Sequence, residues 1–209
     1  TEWLSDKDGG WFNSYYDDNA KRVEGPHENG MRMMLTGQVF TVMSGTATKE
    51  QTADIVKAAD TYLYEEKIGG YRLNSDFKEV KKDMGRAFGF AFGHKENGAV
   101  FSHMTTMFGN ALYKQGFAKE GYKAINTLYQ QSCDFAVSKI YPGIPEYFND
   151  RGRGMYNYLT GAASWLMMTV ITQVFGVRGE MGDLLFDPKL LQNQFDNEGN
   201  ASLNLQFAG

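Results

Sequence analysis

The chain has 209 residues, of which 42% are apolar and 22% charged, as in an ordinary globular domain. Its net charge of −4 argues against the clustered basic surface that nucleic-acid binding requires. The single cysteine, Cys133, excludes an internal disulfide bond and favours a cytoplasmic setting. The longest apolar run, Trp165 to Phe175, is shorter than the ~20 residues of a membrane-spanning helix, so we expect no membrane partner. A start at Thr1 rather than Met indicates processing or a fragment.

The first half of the chain predicts two helices after an irregular start. Residues 1–30 are polar with scattered aromatic side chains and are predicted to be a loop. Apolar residues from Met31 to Ser44 indicate a buried helix. Thr48-Lys49-Glu50-Gln51 is a capping box, which predicts a second helix running to about Tyr64. Residues 66–100 then form a connection far longer than the usual about 4–6 residues, which is typical of a loop that builds a site.

The second half predicts three helices and then strands. Two helices are expected over about 100–115 and 118–138, followed by a second long loop from Tyr141 to Leu159. A helix over 160–175 is apolar on nearly every face and is therefore expected in the core. Leu184–Phe186 and Leu203–Phe207 are predicted to be short strands.

Thr160-Gly161 opens the last predicted helix and is a candidate anion site. A helix N-terminus offers unpaired amides and a partial positive charge, and the upstream Arg153 could add charge. The alternative is an ordinary N-cap beside surface arginines. His103, near the start of the third helix, is either a core histidine or a donor to an anion or a sugar hydroxyl. The sequence has no HExxH motif, cysteine cluster or nucleotide P-loop, so we expect no metal and no cofactor.

Several ordered segments carry a family resemblance. They are Asp8-Gly9-Gly10-Trp11-Phe12 with Tyr16-Asp17-Asp18, then Gln38, Lys95-Glu96-Asn97-Gly98 through His103, Tyr158-Leu159-Thr160-Gly161 through Trp165, and Phe175 to Pro188. Together they resemble the glycoside phosphorylases of glycoside hydrolase family 94, which include cellobiose, chitobiose and β-1,2-oligoglucan phosphorylases. The resemblance runs nearly end to end.

This resemblance implies a mostly α fold. Residues 1–178 would be the C-terminal part of an (α/α)6 catalytic barrel, and residues 179–209 the start of a small β domain. The implied phosphate-binding residues are His103, Thr160 and Gly161, with Arg153 as a weaker addition. The implied sugar-binding residues are Glu96, Gln38 and Glu146, the last in the loop Tyr141–Asp150 that is expected to shape the leaving-group subsite.

The implied reaction is phosphorolysis of a β-linked gluco-disaccharide or oligosaccharide, which yields an α-sugar 1-phosphate with inversion. Inorganic phosphate is the co-substrate, and only a general acid is needed to protonate the leaving oxygen. The family's catalytic aspartate lies in an Asp-Trp-Asn-Asp motif, which is absent from residues 1–209. We therefore expect the proton donor in the rest of the same polypeptide, and no phosphorolytic activity from this chain alone.

Two alternatives stay open. The chain could be the phosphorylase-like barrel of a cyclic β-1,2-glucan synthase, or a carbohydrate-binding barrel that has lost catalysis. The resemblance also allows a homodimer.

Overall fold

A computed structural model describes residues 2–141, 143–158 and 160–206. The helices are α1 (Leu35–Met43), α2 (Lys49–Tyr62), α3 (Ser102–Lys114), α4 (Ala118–Cys133), α5 (Phe135–Ser138) and α6 (Ala162–Thr169), with a π-helical turn, Val170–Val174, continuing α6. The strands are β1 (Trp3–Asp6), β2 (Gly9–Phe12), β3 (Gly25–His27), β4 (Gly30–Arg32), β5 (Tyr64–Glu65), β6 (Gly70–Tyr71), β7 (Val100–Phe101), β8 (Tyr147–Phe148), β9 (Gly154–Met155), β10 (Val177–Glu180) and β11 (Asp183–Phe186). Over these residues, the strands form four antiparallel hairpins and one three-stranded sheet.

The N-terminal residues form two hairpins, so the prediction of a loop over residues 1–30 is wrong. β1 pairs with β2 in a register that sets Trp3 opposite Phe12, with the two rings 4.8 Å apart. The Trp3 ring lies where a side chain at Gly10 would project, so glycine is needed there. Frequent glycine and aspartate hide the alternation that would have indicated strands.

The capping box at Thr48 is confirmed. The Thr48 hydroxyl accepts from the Gln51 amide at 3.2 Å, and the Gln51 side chain accepts from the Thr48 amide at 3.0 Å. These bonds satisfy two donors at the start of α2. The preceding helix, α1, begins at Leu35, four residues later than predicted, because residues 30–32 pair with β3.

Helix α3 lies at the centre of the helical packing, in contact with α1, α4 and α6. Phe108 and Leu112 of α3 are fully buried in the main core. Glycine lets α3 and α4 approach closely: a Cβ at Gly109 would lie 2.5 Å from the Cγ2 atom of Ile125. The core therefore fixes the axis of α3, and with it the position of the residues at its N-terminus.

The predicted (α/α)6 barrel is wrong for this chain. The chain is 37% helical and 19% strand, so it is not mostly α. Helices α1, α4 and α6 pack on α3, and the long connections contain small sheets. The prediction went wrong because residues that read as loop, rich in glycine and aromatic side chains, pair as short strands.

The expectation of a fully buried helix over 160–175 is also wrong. The regular helix α6 is only eight residues long, and Met167 and Met168 are 64% and 39% exposed. One side of α6 packs on α3, which leaves the opposite side open. The predicted strand Leu184–Phe186 is confirmed as β11, whereas residues 203–206 have no strand pairing, and Phe207 lies outside the described residues. The boundary at residue 178 stays a prediction.

Candidate functional site

The three-stranded sheet joins the two long connections. β7 pairs with β8, which sets Val100 opposite Phe148 and Phe101 opposite Tyr147, and β8 pairs with β9. The Ser102 amide then donates to the carbonyl of Glu146 at 2.9 Å, which ties the first residue of α3 to the second loop. Segments that lie far apart in sequence therefore meet at the N-terminal end of α3.

His103 and Gly161 are in direct contact. A Cβ at Gly161 would lie 2.8 Å from Cε1 and 3.2 Å from Nε2 of His103, so only glycine fits beside the ring. The indole of Trp165 also lies near the His103 ring, with ring centroids 5.9 Å apart. Burial lowers the pKa of His103, because the imidazolium form loses its hydration. The ring is therefore a neutral donor and acceptor at neutral pH.

The start of α6 lies against this histidine. Gly161 is the N-cap residue, and the Trp165 amide donates to its carbonyl at 2.9 Å. The Thr160 hydroxyl accepts from the Ala162 amide at 3.2 Å, so it is held at the mouth of the helix. This position combines a hydroxyl, first-turn amides and the positive end of the helix dipole. His103, Thr160 and Gly161, predicted together from the sequence, are brought together here.

A charged and aromatic cluster borders the same sheet. The Lys95 Nζ lies 3.9 Å from Oε2 of Glu146 and 3.9 Å from the ring centroid of Tyr156. The rings of Tyr147 and Tyr156 are 6.2 Å apart. Lys95 and Tyr156 have φ values of +46° and +55°, a costly conformation for side chains of this size. Lys95 pairs with the predicted sugar-binding residue Glu146, and the Glu146 amide donates to the Tyr156 carbonyl at 2.7 Å, so both residues join the candidate site.

Sequence reasoning named Glu146 but missed Lys95, Tyr147 and Tyr156. Lys95 lies in the segment whose candidate site residues were Glu96 and His103. Both tyrosines lie in the predicted loop from Tyr141 to Leu159, from which only Glu146 and Arg153 were singled out. The available signal was a run of aromatic residues beside charges within a long connection.

The remaining predicted residues make contacts with other parts of the chain. Glu96 is exposed and lines a cleft of about 430 Å³ between the segment after β2 and α1. Gln38 is fully buried, and its side-chain amide bonds the backbone of Phe12 in both directions at 2.8 Å. Its polar atoms thus hold β2 against α1, which favours a structural role. The Arg153 side chain is exposed, and its backbone amide donates to Asn149 Oδ1 at 3.1 Å.

The described residues contain neither a metal-binding cluster nor a membrane-spanning helix. Within residues 2–141, 143–158 and 160–206, no three His, Cys, Asp or Glu side chains gather in a group that could hold a metal ion. Over the same ranges, no helix has the length and apolar character needed to cross a membrane.

The contact of His103 with the start of α6 brings an imidazole, a hydroxyl and first-turn helix amides together. Residues 3–176 match the Glycosyl hydrolase 94 superfamily, catalytic domain. The chain therefore belongs to this family, and the resemblance predicted from the sequence is confirmed.

Curated relatives are longer proteins. The chain is 28% identical over 198 residues to the cellobionic acid phosphorylase of Neurospora crassa and 27% identical over 194 residues to the N,N'-diacetylchitobiose phosphorylase of Vibrio proteolyticus. Each alignment covers 88% of this chain and 24% of the relative. It is also 26% identical over 198 residues to the cyclic beta-(1,2)-glucan synthase NdvB of Rhizobium meliloti, covering 88% of this chain and 7% of that protein. The chain thus spans about a quarter of the length of the two phosphorylases.

Proposed function

We propose that this chain forms the phosphate-binding side of the active site of an inverting glycoside phosphorylase. The observation that supports this proposal most directly is the contact of the His103 ring with Gly161, next to the Thr160 hydroxyl. Oriented N–H and O–H donors at a helix start suit a tetrahedral oxyanion. Membership of the family and the names of the curated relatives support the same assignment.

The chemistry needs little more than positioning. One phosphate oxygen attacks the anomeric carbon from the side opposite the leaving group, so the carbon–oxygen bond to phosphate forms as the β-glycosidic bond breaks. The product is an α-sugar 1-phosphate. His103 and Thr160 would hold the phosphate oxygens in line for this attack, while the dipole of α6 offsets part of their charge. Phosphate is already an anionic nucleophile, so no base is required to activate it.

The sugar side of the proposal uses Glu96 and Glu146, which border the cleft and the aromatic cluster respectively. Arg153 is kept only as a source of positive potential, because its side chain is exposed. We assign no sugar contact to Gln38, whose amide is bonded within the chain.

The leaving oxygen needs a proton, and the proposal assigns that donor to polypeptide outside residues 1–209. The Asp-Trp-Asn-Asp motif is absent from this sequence. We therefore expect the 209-residue chain to bind phosphate without releasing sugar phosphate from β-linked disaccharides. The boundary at residue 178, a homodimer and a cytoplasmic location stay predictions.

The test is a titration of the purified chain with inorganic phosphate, in which binding is measured by calorimetry and by the 31P NMR line width. We expect Thr160→Val and His103→Ala to weaken binding about tenfold or more, because each removes a donor to a charged ligand. Thr61→Val, on the exposed side of α2, is the matched control and should bind as the wild type does. Failure of the wild-type chain to bind phosphate, or equal binding by the His103→Ala variant, would contradict the proposal.

A second candidate function is supported by the similarity to the cyclic beta-(1,2)-glucan synthase. In that case the same phosphate site would belong to one domain of a larger polymer-processing protein. The gene sequence on both sides of this segment distinguishes the two, since predicted membrane spans beside it would favour the synthase.

A further inference from the structure

A buried carboxylate with no assigned role, Glu24, bonds Ser14 in the lining of the Glu96 cleft. The cleft is lined by Ser14, Tyr15, Met34, Thr36, Gly37, Phe40, Leu73 and Glu96. Phe40 is 49% exposed on this surface, and Ser14 and Glu96 are exposed polar groups. Apolar walls with an open aromatic ring and a few polar groups are typical of sites for sugars and other small polar molecules.

Ser14 is held by Glu24, which lies behind it. Oε1 of Glu24 accepts from the Ser14 amide at 2.7 Å and from the Ser14 hydroxyl at 2.6 Å. Oε2 accepts from the Met34 amide at 2.8 Å, and the Glu24 amide donates to Oδ1 of Asn13 at 3.2 Å. The carboxylate, only 6% exposed, thus joins the segment after β2 to the start of α1.

Gly37 fixes the same serine from the other side. A Cβ at Gly37 would collide with the Ser14 side chain, so Ser14 sits against the helix backbone of α1. The serine is confined between the carboxylate and this glycine, and its hydroxyl has a defined direction.

The Ser14 hydroxyl donates its proton to Glu24, so the hydroxyl can act only as an acceptor toward a ligand. A serine that donates to a carboxylate keeps its oxygen lone pairs for an incoming donor. We propose that Ser14 is a sugar-contacting residue that accepts a hydrogen bond from one sugar hydroxyl, and that Glu24 is the positioning residue that sets its orientation. This inference rests on the proposed function only in requiring that the cleft binds a sugar.

The experiment uses the 209-residue chain and methyl β-D-glucoside, with its monodeoxy analogues as probes, in NMR titrations. Burial raises the pKa of Glu24 to about 7, so the titrations are run at about pH 8, where the carboxylate is the acceptor. In the wild-type chain, removal of one particular hydroxyl should weaken binding about fivefold. In Ser14→Ala the parent sugar should bind about fivefold more weakly. The loss of affinity caused by removing that one hydroxyl should vanish, while the losses caused by removing the other hydroxyls should remain.

Glu24→Gln tests the positioning role. An amide cannot accept from all three donors, so the parent sugar should bind more weakly and the same deoxy penalty should shrink. A general loss of structure would instead lower the binding of every probe alike. Circular dichroism verifies the fold, and if Glu24→Gln fails to fold, the Ser14→Ala comparison still decides the serine contact. Ser5→Ala, on exposed β1, is the matched control.

The results separate this inference from the proposed function. No binding of any probe to the wild-type chain, or unchanged deoxy penalties in Ser14→Ala, overturns the inference. Phosphate binding measured on the same samples should be the same in Ser14→Ala as in the wild type. If the chain binds phosphate but the affinity penalties of the deoxy probes are the same in Ser14→Ala as in the wild type, only the role of Ser14 is refuted. If the wild-type chain does not bind phosphate, the proposed function is refuted.

Discussion

Raising the pH should destabilise this protein through Glu24. Burial raises the pKa of this carboxyl from 4.5 to about 7, although three hydrogen bonds favour its ionised form. A pKa that is higher in the folded state means that the folded chain binds the proton more tightly than the unfolded chain does. The resulting stability is complete below about pH 4.5 and is lost as the pH rises through about 7.

The magnitude follows from the size of the pKa change. A rise from 4.5 to about 7 corresponds to about 3 kcal/mol, at 1.36 kcal/mol for each pH unit. Most of it, about 2.5 kcal/mol, should be lost between about pH 5 and pH 8. Other carboxyls, such as Asp17, have lowered pKa values and act in the opposite direction, so the wild-type curve alone is not decisive.

The assay is urea unfolding at a series of pH values, comparing the wild type with Glu24→Gln. The difference in unfolding free energy between the two proteins should change by about 2.5 kcal/mol over this range, because the variant has no proton to lose at position 24. Glu28→Gln, on an exposed turn, is the control and should follow the wild type. Parallel curves for the wild type and Glu24→Gln would refute the reasoning.

Three further predictions concern the phosphate site and the scaffold. Gly161→Ala should weaken phosphate binding about tenfold in calorimetry, because its Cβ would lie 2.8 Å from the His103 ring, whereas Gly89→Ala, with open space around it, should not. Thr48→Ala should lower the free energy of unfolding in urea by about 1 kcal/mol through loss of the capping box, and more than Thr61→Ala does. NMR titration should find the pKa of His103 below 6.5 in the free chain and higher with phosphate bound, and an unchanged value would contradict a phosphate contact.

The predictable parts of this fold depend on local chemistry. The capping box at Thr48 and the strand before Pro188 were legible because a few neighbouring residues decide them. The hairpins before residue 30 were not, since their pairing depends on glycine positions that let Trp3 lie across β2. Exposure of Met167 was equally hidden, because an apolar sequence does not reveal which side of a helix is covered.

In the candidate site, too, some residues were predictable from the sequence and others were not. His103 and Gly161 were predicted by family resemblance, and their contact depends on the packing of α6 on α3, which no local pattern contains. The Ser14–Glu24 pair carried no sequence signal at all. A serine and a glutamate ten residues apart are unremarkable until a turn buries one of them behind the other.

The sheet formed by β7, β8 and β9 holds the loop that carries Glu146 at the start of α3. Each of its strands has two residues, and β7 and β8 lie about 50 residues apart along the chain. Closing so long a loop for so few hydrogen bonds makes this pairing a late step in folding and an early one to open. The amides of Phe101 and Phe148 should therefore exchange with solvent faster than those in the middle of α3. The helices can persist, with His103 beside Gly161, while the loop that carries Glu146 separates from α3.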